Sequence, residues 1–335
     1  MKKKSFSNSL KKLNVLIIGL GQAGSRFDED DRKIIWSHTG AYLEDKESFY
    51  IVNGVDPSEE NRLHFNNRIK EDKAVSSLKE ISSKEIDIVS IATPFKYRLE
   101  IFEEIFSLGI KPKVIICEKP LAQTKKERDQ IILICNLNNT ELLVHYNRRF
   151  INTYQNLFQM LSSKEFGKVF SITVKSPNRG WSIGSHAIDL LLYLSNEYPL
   201  DWEVLNIPSL VEDNENAFDF IGYFPSGFTG RVLTQCSSKI LIFEVEIICE
   251  SGRIRTFNNG DETVIEEFEY SKQFKNYKFP KLLKKIKNKQ NSSFLSIVEN
   301  AKDVIFKKSN IISNGITASS SEELLDKIQE KFLRC

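Results

Sequence analysis

An almost unbroken apolar run, Leu13-Asn14-Val15-Leu16-Ile17-Ile18, leads directly into Gly19-Leu20-Gly21-Gln22-Ala23-Gly24. A run of this kind is the signature of a strand buried on both faces of a parallel sheet, which needs helices on each side. The G-x-G-x-x-G after it allows a tight turn and lets backbone N–H groups come close to a pyrophosphate. The motif alone is weak, and it gains weight from the strand and helix pattern downstream. Phe49–Val55 stops at Asp56-Pro57, Ile86–Ala92 stops at Thr93-Pro94, and Val114–Cys117 and Leu142–Val144 complete a set of short apolar runs. Helical segments lie between them: Ser58 to about Ile69, Lys96–Leu108 closed by Gly109, and Thr124 to about Leu137, opened by the capping-box pattern Thr124-x-x-Glu127. Strands alternating with helices predict right-handed βαβ units in a doubly wound α/β sheet, with the ligand at the carboxyl ends of its strands.

The pattern changes after about Phe150. Strand candidates at Val169–Val174, Phe218–Phe224, Thr229–Gln235, Leu241–Cys249 and Arg253–Phe257 are separated by turn signals such as Pro225-Ser226-Gly227 and Glu250-Ser251-Gly252, which predicts an α+β domain with a mostly antiparallel open sheet. Helical spacing appears at Ser185–Leu194, Ser293–Phe306 and Glu322–Phe332, while Lys272–Ser292 reads as a surface connection. The chain has 335 residues, more than one core usually organises, so two domains are expected: residues 13–146 as a Rossmann domain and 147–335 for substrate binding and oligomerisation.

With 47 basic and 45 acidic residues the formal charge is only +2, so no global field draws the molecule to nucleic acid or membrane, and neither is an expected partner. The lysine runs Met1–Lys12 and Lys281–Lys289 read as solvated faces or tails. Cys117, Cys135, Cys236, Cys249 and Cys335 form an odd set without C-x-x-C spacing, mostly within apolar runs, which fits a reducing cytoplasm. The lysine-rich start is followed by polar residues rather than an apolar signal core, and no run approaches the length of a membrane span.

Asp56, at the tip of the second strand, can accept hydrogen bonds from both ribose hydroxyls of NAD, where a 2′-phosphate would meet like charge. It therefore favours NAD, with NADP still possible because Arg62 is near in sequence. The alternative is that Asp56 starts a turn with Pro57 or caps the next helix. Asp56 lies 32 residues beyond Gly24, against the ~20 of the common spacing. The acidic run Phe27–Lys33 is the natural insertion, turned outward from a pyrophosphate. It lacks a recognisable loop pattern for a cation, so no metal is expected.

Taken together, Gly19–Gly24, Asp56, Ile91-Ala92-Thr93-Pro94, Glu118-Lys119-Pro120-Leu121-Ala122, Asn147-Arg148-Arg149-Phe150 and Gly184-Ser185-His186-Ala187-Ile188-Asp189 occur in an order that resembles the glucose-fructose oxidoreductase, inositol dehydrogenase and rhizopine-catabolism (Gfo/Idh/MocA) family. The resemblance covers most of residues 13 to 195. It implies cofactor contacts at Gly19, Gly21, Gln22, Ala23, Gly24, Asp56, Thr93, Pro94, Glu118 and Lys119. It also implies catalysis by Lys119, which exchanges a proton with the reacting oxygen, and by His186, which hydrogen-bonds that oxygen. Tyr146, Arg149 and Asp189 join Lys119 and His186 as expected substrate-site residues. Arg148, Arg149 and Arg179 suit anionic groups of a substrate or, equally, structural salt bridges.

Two departures stand out. Ser182 occupies the position where many members carry an Asp four residues before the histidine, and Phe95-Lys96-Tyr97-Arg98 replaces a histidine often found after the Thr-Pro element. The resemblance implies hydride transfer at a secondary hydroxyl or ketone of a sugar or nucleotide-sugar, with surface polysaccharide synthesis as the expected setting, by a cytoplasmic homo-oligomer. The alternatives are a free polyol dehydrogenase, a redox-neutral glycoside-cleaving enzyme, and a non-enzymatic nicotinamide sensor.

Overall fold

The computed structural model describes residues 12–28, 35–177, 182–207, 217–234, 240–289 and 291–333. Its first sheet contains β1 (Leu13–Ile18), β2 (Phe49–Val55), β3 (Ala74–Val75), β4 (Ile88–Ile91), β5 (Val114–Glu118) and β6 (Glu141–His145), all parallel, in the order β3-β2-β1-β4-β5-β6. Helices α1 (His38–Glu44), α2 (Glu59–Ile69), α3 (Arg98–Ser107) and α4 (Lys125–Leu137) alternate with these strands. All four residues of β4 are buried, as are Val114–Cys117 of β5, which is why these runs show no polar alternation. Chain order reverses across β1, which pairs with β2 on one side and β4 on the other. This switch point is where an open α/β sheet leaves a crevice at its carboxyl edge.

The second sheet has eight strands: β7 (Val169–Ser176), β8 (Asp201–Ile207), β9 (Ala217–Tyr223), β10 (Thr229–Thr234), β11 (Glu244–Cys249), β12 (Gly252–Phe257), β13 (Glu262–Tyr270) and β14 (Lys278–Lys287). Their order is β14-β13-β12-β11-β7-β10-β9-β8, antiparallel except for the β7–β10 pair. Buried and half-buried residues alternate along β10, β11 and β12, as expected when one face is covered. The cover comes from α5 (Asn152–Ser162) and α6 (Gly184–Ser195), whose Leu157, Leu190, Leu191 and Leu194 join Val174, Phe218, Phe220, Phe243 and Val245 in one core.

Two further helices complete the fold, α7 (Ser293–Ile305) and α8 (Gly315–Leu333). The chain divides into two compact units, one reaching to His145 and including Ser292–Ile316, the other formed by Tyr146–Asn291 and Thr317 onward. A contiguous second domain over 147–335 is thus interrupted where α7 packs on α1 and Val144 donates its N–H to the Ser313 carbonyl at 2.9 Å.

Several local expectations change. Lys272–Ser292 is not a plain connection, because it contains β14, whose lysine-rich and almost wholly exposed sequence hides the period of two. Strands β8 and β13 and helices α1 and α5 were not marked by the sequence pattern, and α8 begins seven residues before Glu322. Asp28 does not face outward: it is 4 % exposed and pairs with Arg68 at 2.7 Å. Burial opposes its ionisation, but Arg68, the Ser37 hydroxyl and the Trp36 N–H outweigh burial and hold the carboxyl below its ordinary range. Residues 29–33 of the acidic run, Arg179, Cys236 and Cys335 lie outside the described residues. Cys117, Cys135 and Cys249 are buried, and none of them forms a disulfide.

Candidate cofactor and active site

Gly19 and Gly24 answer steric demands within the fold, and Gly21 does not. Gly19 has φ +88°, and a Cβ there would lie 2.8 Å from the Ala92 carbonyl carbon. A Cβ on Gly24 would lie 1.9 Å from the Gly19 carbonyl oxygen, so the third glycine lets the chain fold back on the first. A Cβ on Gly21 would meet nothing within 4 Å, which leaves open space where a pyrophosphate approaches the backbone. Gln22–Arg26 then forms one π-helical turn, and α1 starts only at His38, so the helix that normally follows such a loop is interrupted. The two pieces are tied together: Thr39 donates its hydroxyl to the Gly24 carbonyl (2.8 Å), and Arg68 bridges the Ser25 carbonyl and Asp28. This interruption accommodates the long interval from Gly24 to Asp56.

Asp56 is 7 % exposed. Its Oδ2 accepts from the Leu20 N–H at 2.7 Å and from Asn61 Nδ2 at 3.2 Å, and its Oδ1 accepts from the Ser58 N–H at 2.9 Å. It therefore holds the glycine loop and, through Ser58, the N-cap of α2, at once. An ionised carboxylate offers about four acceptor sites, so these three bonds leave capacity for a ribose hydroxyl. Arg62 donates to the carbonyls of Asp56 and Pro57 at 2.9 and 2.8 Å.

The next two loops are joined by a residue that the sequence pattern did not single out. Arg98, 3 % exposed, donates to the Thr93 carbonyl through Nε (3.0 Å) and Nη2 (2.8 Å), and through Nη1 to the carbonyls of Glu118 and Pro120. One buried guanidinium thus clamps the loop after β4 to the carbonyls of the two residues on either side of Lys119. Lys119 is half-buried, directly after β5, and its bond to Pro120 is cis. Thr93 lies against the glycine loop, since a Cβ on Gly19 would come within 2.9 Å of its nitrogen. Pro94 is exposed. Arg98→Met should leave several carbonyls without donors, each worth ~1–3 kcal/mol when buried. The expected results are a clear drop in melting temperature and a weakened kcat. An unchanged melting curve would show that the clamp contributes little.

Glu118 is held from two sides. Its Oε1 accepts from His145 Nδ1 at 2.7 Å and from His38 Nε2 at 3.1 Å, while His145 Nε2 lies 3.2 Å from the Ser293 hydroxyl. Phe294 packs edge-on against both imidazoles, with centroids 5.2 and 4.4 Å away. Burial alone would raise the Glu118 pKa, but the charge and hydrogen bond of His145, together with those of His38, hold it far below the ordinary carboxylate value. The Glu118 carboxylate accepts Nδ1–H from His145 and Nε2–H from His38 in this geometry. His38, His145 and Glu118 are also the one set of three potential metal ligands that converges among the described residues. Their shared oxygen and hydrogen-bond distances are accounted for by the carboxylate accepting from two imidazoles.

His38 is fully buried, and desolvation lowers its pKa despite the carboxylate beside it. A histidine held neutral in the fold takes up a proton only on unfolding, so stability should fall as pH drops through the unfolded value of ~6.5, by at most ~1.4 kcal/mol per pH unit. Thermal melts between neutral and mildly acidic pH should show this loss. His38→Gln, which keeps a donor and removes the titration, should flatten it, and equal slopes in the two proteins would remove His38 as the cause.

In the second unit, His186 is half-buried in the first turn of α6, with its ring edge-on to Tyr146 at 5.9 Å. Asp189, 1 % exposed, does not pair with His186. It forms a two-pronged bond with Arg149 (2.9 and 2.7 Å) and accepts from the Ser321 hydroxyl at 2.8 Å. Arg149 also donates to Thr317, so its fork is engaged inside the unit. The Tyr146 phenol is 1 % exposed and donates to Glu322 at 3.3 Å. Burial first, then Glu322 and Asp189, raise its pKa well above the ordinary tyrosine value, so it stays protonated. Arg148 stacks on the Phe243 ring at 3.6 Å. Ser182, one turn before His186, offers its carbonyl to the Ser185 hydroxyl at 3.0 Å.

A sequence-family model described as an oxidoreductase family with an NAD-binding Rossmann fold, Gfo/Idh/MocA, matches residues 13–146. No curated protein matches the sequence. Among solved structures, the chain is similar to UDP-N-acetylglucosamine 3-dehydrogenase GnnA from Acidithiobacillus ferrooxidans (14% identity, TM-score 0.73, covering 94% of this chain and 96% of that one). It is similar to the WlbA dehydrogenase from Bordetella pertussis, crystallised with NADH and UDP-GlcNAcA (17%, 0.72, 94% of each). It is also similar to a super-repressor mutant of Gal80p from Saccharomyces cerevisiae (14%, 0.75, 95% and 96%). At these identities the likeness is one of fold. The family match, however, spans the glycine loop, Asp56, Thr93 and Lys119 with its anchors, so residues 13–146 form an NAD-binding Rossmann domain of the Gfo/Idh/MocA oxidoreductase type.

Proposed function

We propose that this protein transfers a hydride between NAD and a secondary carbinol or ketone carbon of a nucleotide-linked sugar, in the synthesis of a surface polysaccharide. The observation that carries the reading is the mounting of Lys119: it comes directly after a fully paired parallel strand, Arg98 holds the carbonyls on both sides of it, and Glu118 beside it is fixed by two imidazoles. A backbone anchored this firmly suits a lysine that exchanges protons, since positioning dominates the rate of such a step. Bound NAD supplies the hydride acceptor. In the oxidative direction the substrate O–H proton passes to the Lys119 amine as the carbonyl forms, and in reduction the ammonium returns it. His186 is assigned a hydrogen bond to the same oxygen. Arg149 and Asp189, bound to each other, support the wall of the substrate site rather than touching substrate.

The choice of a nucleotide-sugar is supported by two fold neighbours, one a UDP-N-acetylglucosamine dehydrogenase and the other crystallised with UDP-GlcNAcA. The test is a comparison of kcat/KM for UDP-linked and free sugars, with NAD and NADP supplied in parallel. Higher values with UDP-sugars and with NAD are expected, since Asp56 stands where a 2′-phosphate would meet like charge. Turnover of free polyols alone would replace the substrate class, and a preference for NADP would remove the role given to Asp56. A second reading, a nicotinamide-binding sensor, is favoured by Ser182 in place of a carboxylate and by the fold likeness to Gal80p. It predicts cofactor binding with no turnover of any sugar.

A further inference from the structure

The strands β13 and β14 form a hairpin at the edge of the second sheet, and β14 is the edge strand. Every residue of β14 except Ile286 is exposed, and so is the whole stretch from Lys272 to Lys285. Ile286 packs on the core of its unit, so the base of the hairpin is anchored and the rest projects. No acidic residue occurs from Tyr270 to Val298, while eight lysines occur from Lys272 to Lys289. Two of these, Lys281 and Lys285, are paired with Glu269 and Glu262 of β13.

Lysines on an exposed sheet edge also guard against pairing with another chain's edge, and that role needs no apolar partners. Here the lysines alternate with large exposed apolar groups: Phe274 51%, Tyr277 67%, Phe279 51%, Leu282 60% and Leu283 55%, with Tyr270 at 69% opposite Lys278. Water-exposed leucine and phenylalanine on a strand that no described residue covers is unfavourable unless something receives it. A second copy of this hairpin would bring like charges together. Duplex nucleic acid would match the charge but gives Leu282 and Leu283 nothing to bury against. Anionic headgroups above an acyl boundary match both, as basic segments with interleaved aromatic and aliphatic residues bind at the interface without crossing it. Crossing is a separate matter, and among the described residues no helix is long and apolar enough to do it.

We propose that the β13–β14 hairpin docks this protein on the surface of a bilayer rich in anionic lipid. The site is peripheral and owes nothing to the family fold's cofactor chemistry. The test is flotation of the full chain with phosphatidylcholine vesicles, with and without phosphatidylglycerol. Binding only to the anionic vesicles, weakened by salt, is expected. Each surface lysine is worth roughly fivefold, so Lys275→Glu with Lys284→Glu should weaken binding by about 25-fold or more. Phe279→Ser with Leu283→Ser, which leaves every lysine in place, should also release the protein. All four positions are exposed, and melting curves confirm that the variants fold. Failure to float with anionic vesicles overturns the proposal. So does undiminished binding of the Phe279/Leu283 variant together with equal binding to duplex DNA, which would make the hairpin a general polyanion surface. Light scattering that shows the hairpin variants losing a dimer, with no vesicle binding by the parent, would assign the patch to a second copy.

Discussion

Replacing Lys119 by alanine is expected to remove nearly all turnover while NAD still binds. Loss of a positioned acid or base commonly lowers a rate by ~100–10,000-fold. The groups that fit the cofactor are held independently of the Lys119 side chain: Gly19 by the Val55 carbonyl, Leu20 by Asp56, and Thr93 and the flanking carbonyls by Arg98. The loss should therefore fall on kcat, with the NADH dissociation constant little changed. His186→Ala should lower the rate by less, because Ser182 supplies no carboxylate to hold a proton on the imidazole. Near-normal turnover in Lys119→Ala would detach the chemistry from this lysine and leave the sensor or redox-neutral readings.

A pair of single-methyl substitutions should separate folding from cofactor binding. In Gly24→Ala the new Cβ would sit 1.9 Å from the Gly19 carbonyl oxygen, a backbone atom that cannot swing aside. The loop must move, and it carries the Leu20 N–H bond to Asp56 and the Thr39 bond to the Gly24 carbonyl with it. Strain of this kind typically destabilises by ~1–3 kcal/mol or more, so both melting temperature and NAD affinity should fall sharply. In Gly21→Ala the methyl enters open space. Its melting temperature should match the parent's while NAD affinity drops, because the methyl occupies the approach to the pyrophosphate. Calorimetric melts and NADH titrations of both variants check this. Equal affinity in Gly21→Ala and the parent would mean that the pyrophosphate does not pass over Gly21.

The features legible in the sequence and those hidden in it divide along physical lines. β1, β4 and β5 were readable because burial on both faces removes polar alternation, and Gly19 and Gly24 because each meets a steric demand stated by the motif itself. β14 was hidden because its pairing with β13, and no burial pattern of its own, makes it a strand. The Glu118 cluster was hidden because its members are far apart in the chain. Glu118 and His145 meet only through the register of β5 against β6, and His38 only because the interrupted helix starts there. Those two histidines end a strand and begin a helix at the carboxyl edge, and that shared position was the available signal. Arg98 stands four residues after Pro94, and its role depends on two carbonyls beyond the end of another strand. Asp56 bears out the turn reading, since its carboxylate accepts from the Ser58 N–H, and it also braces the glycine loop through Leu20. Arg149 and Asp189 were expected at the substrate site from the resemblance, and in the folded unit they bind each other.

The most direct test of hydride transfer is the NADH absorbance of the purified chain incubated with NAD and a panel of UDP-sugars, with the sugar products weighed by mass spectrometry. NADH should accumulate in step with a product lighter by two hydrogens for at least one UDP-sugar. Saturating NAD binding with neither NADH nor a changed sugar, in either direction of the reaction, would contradict hydride transfer by this protein.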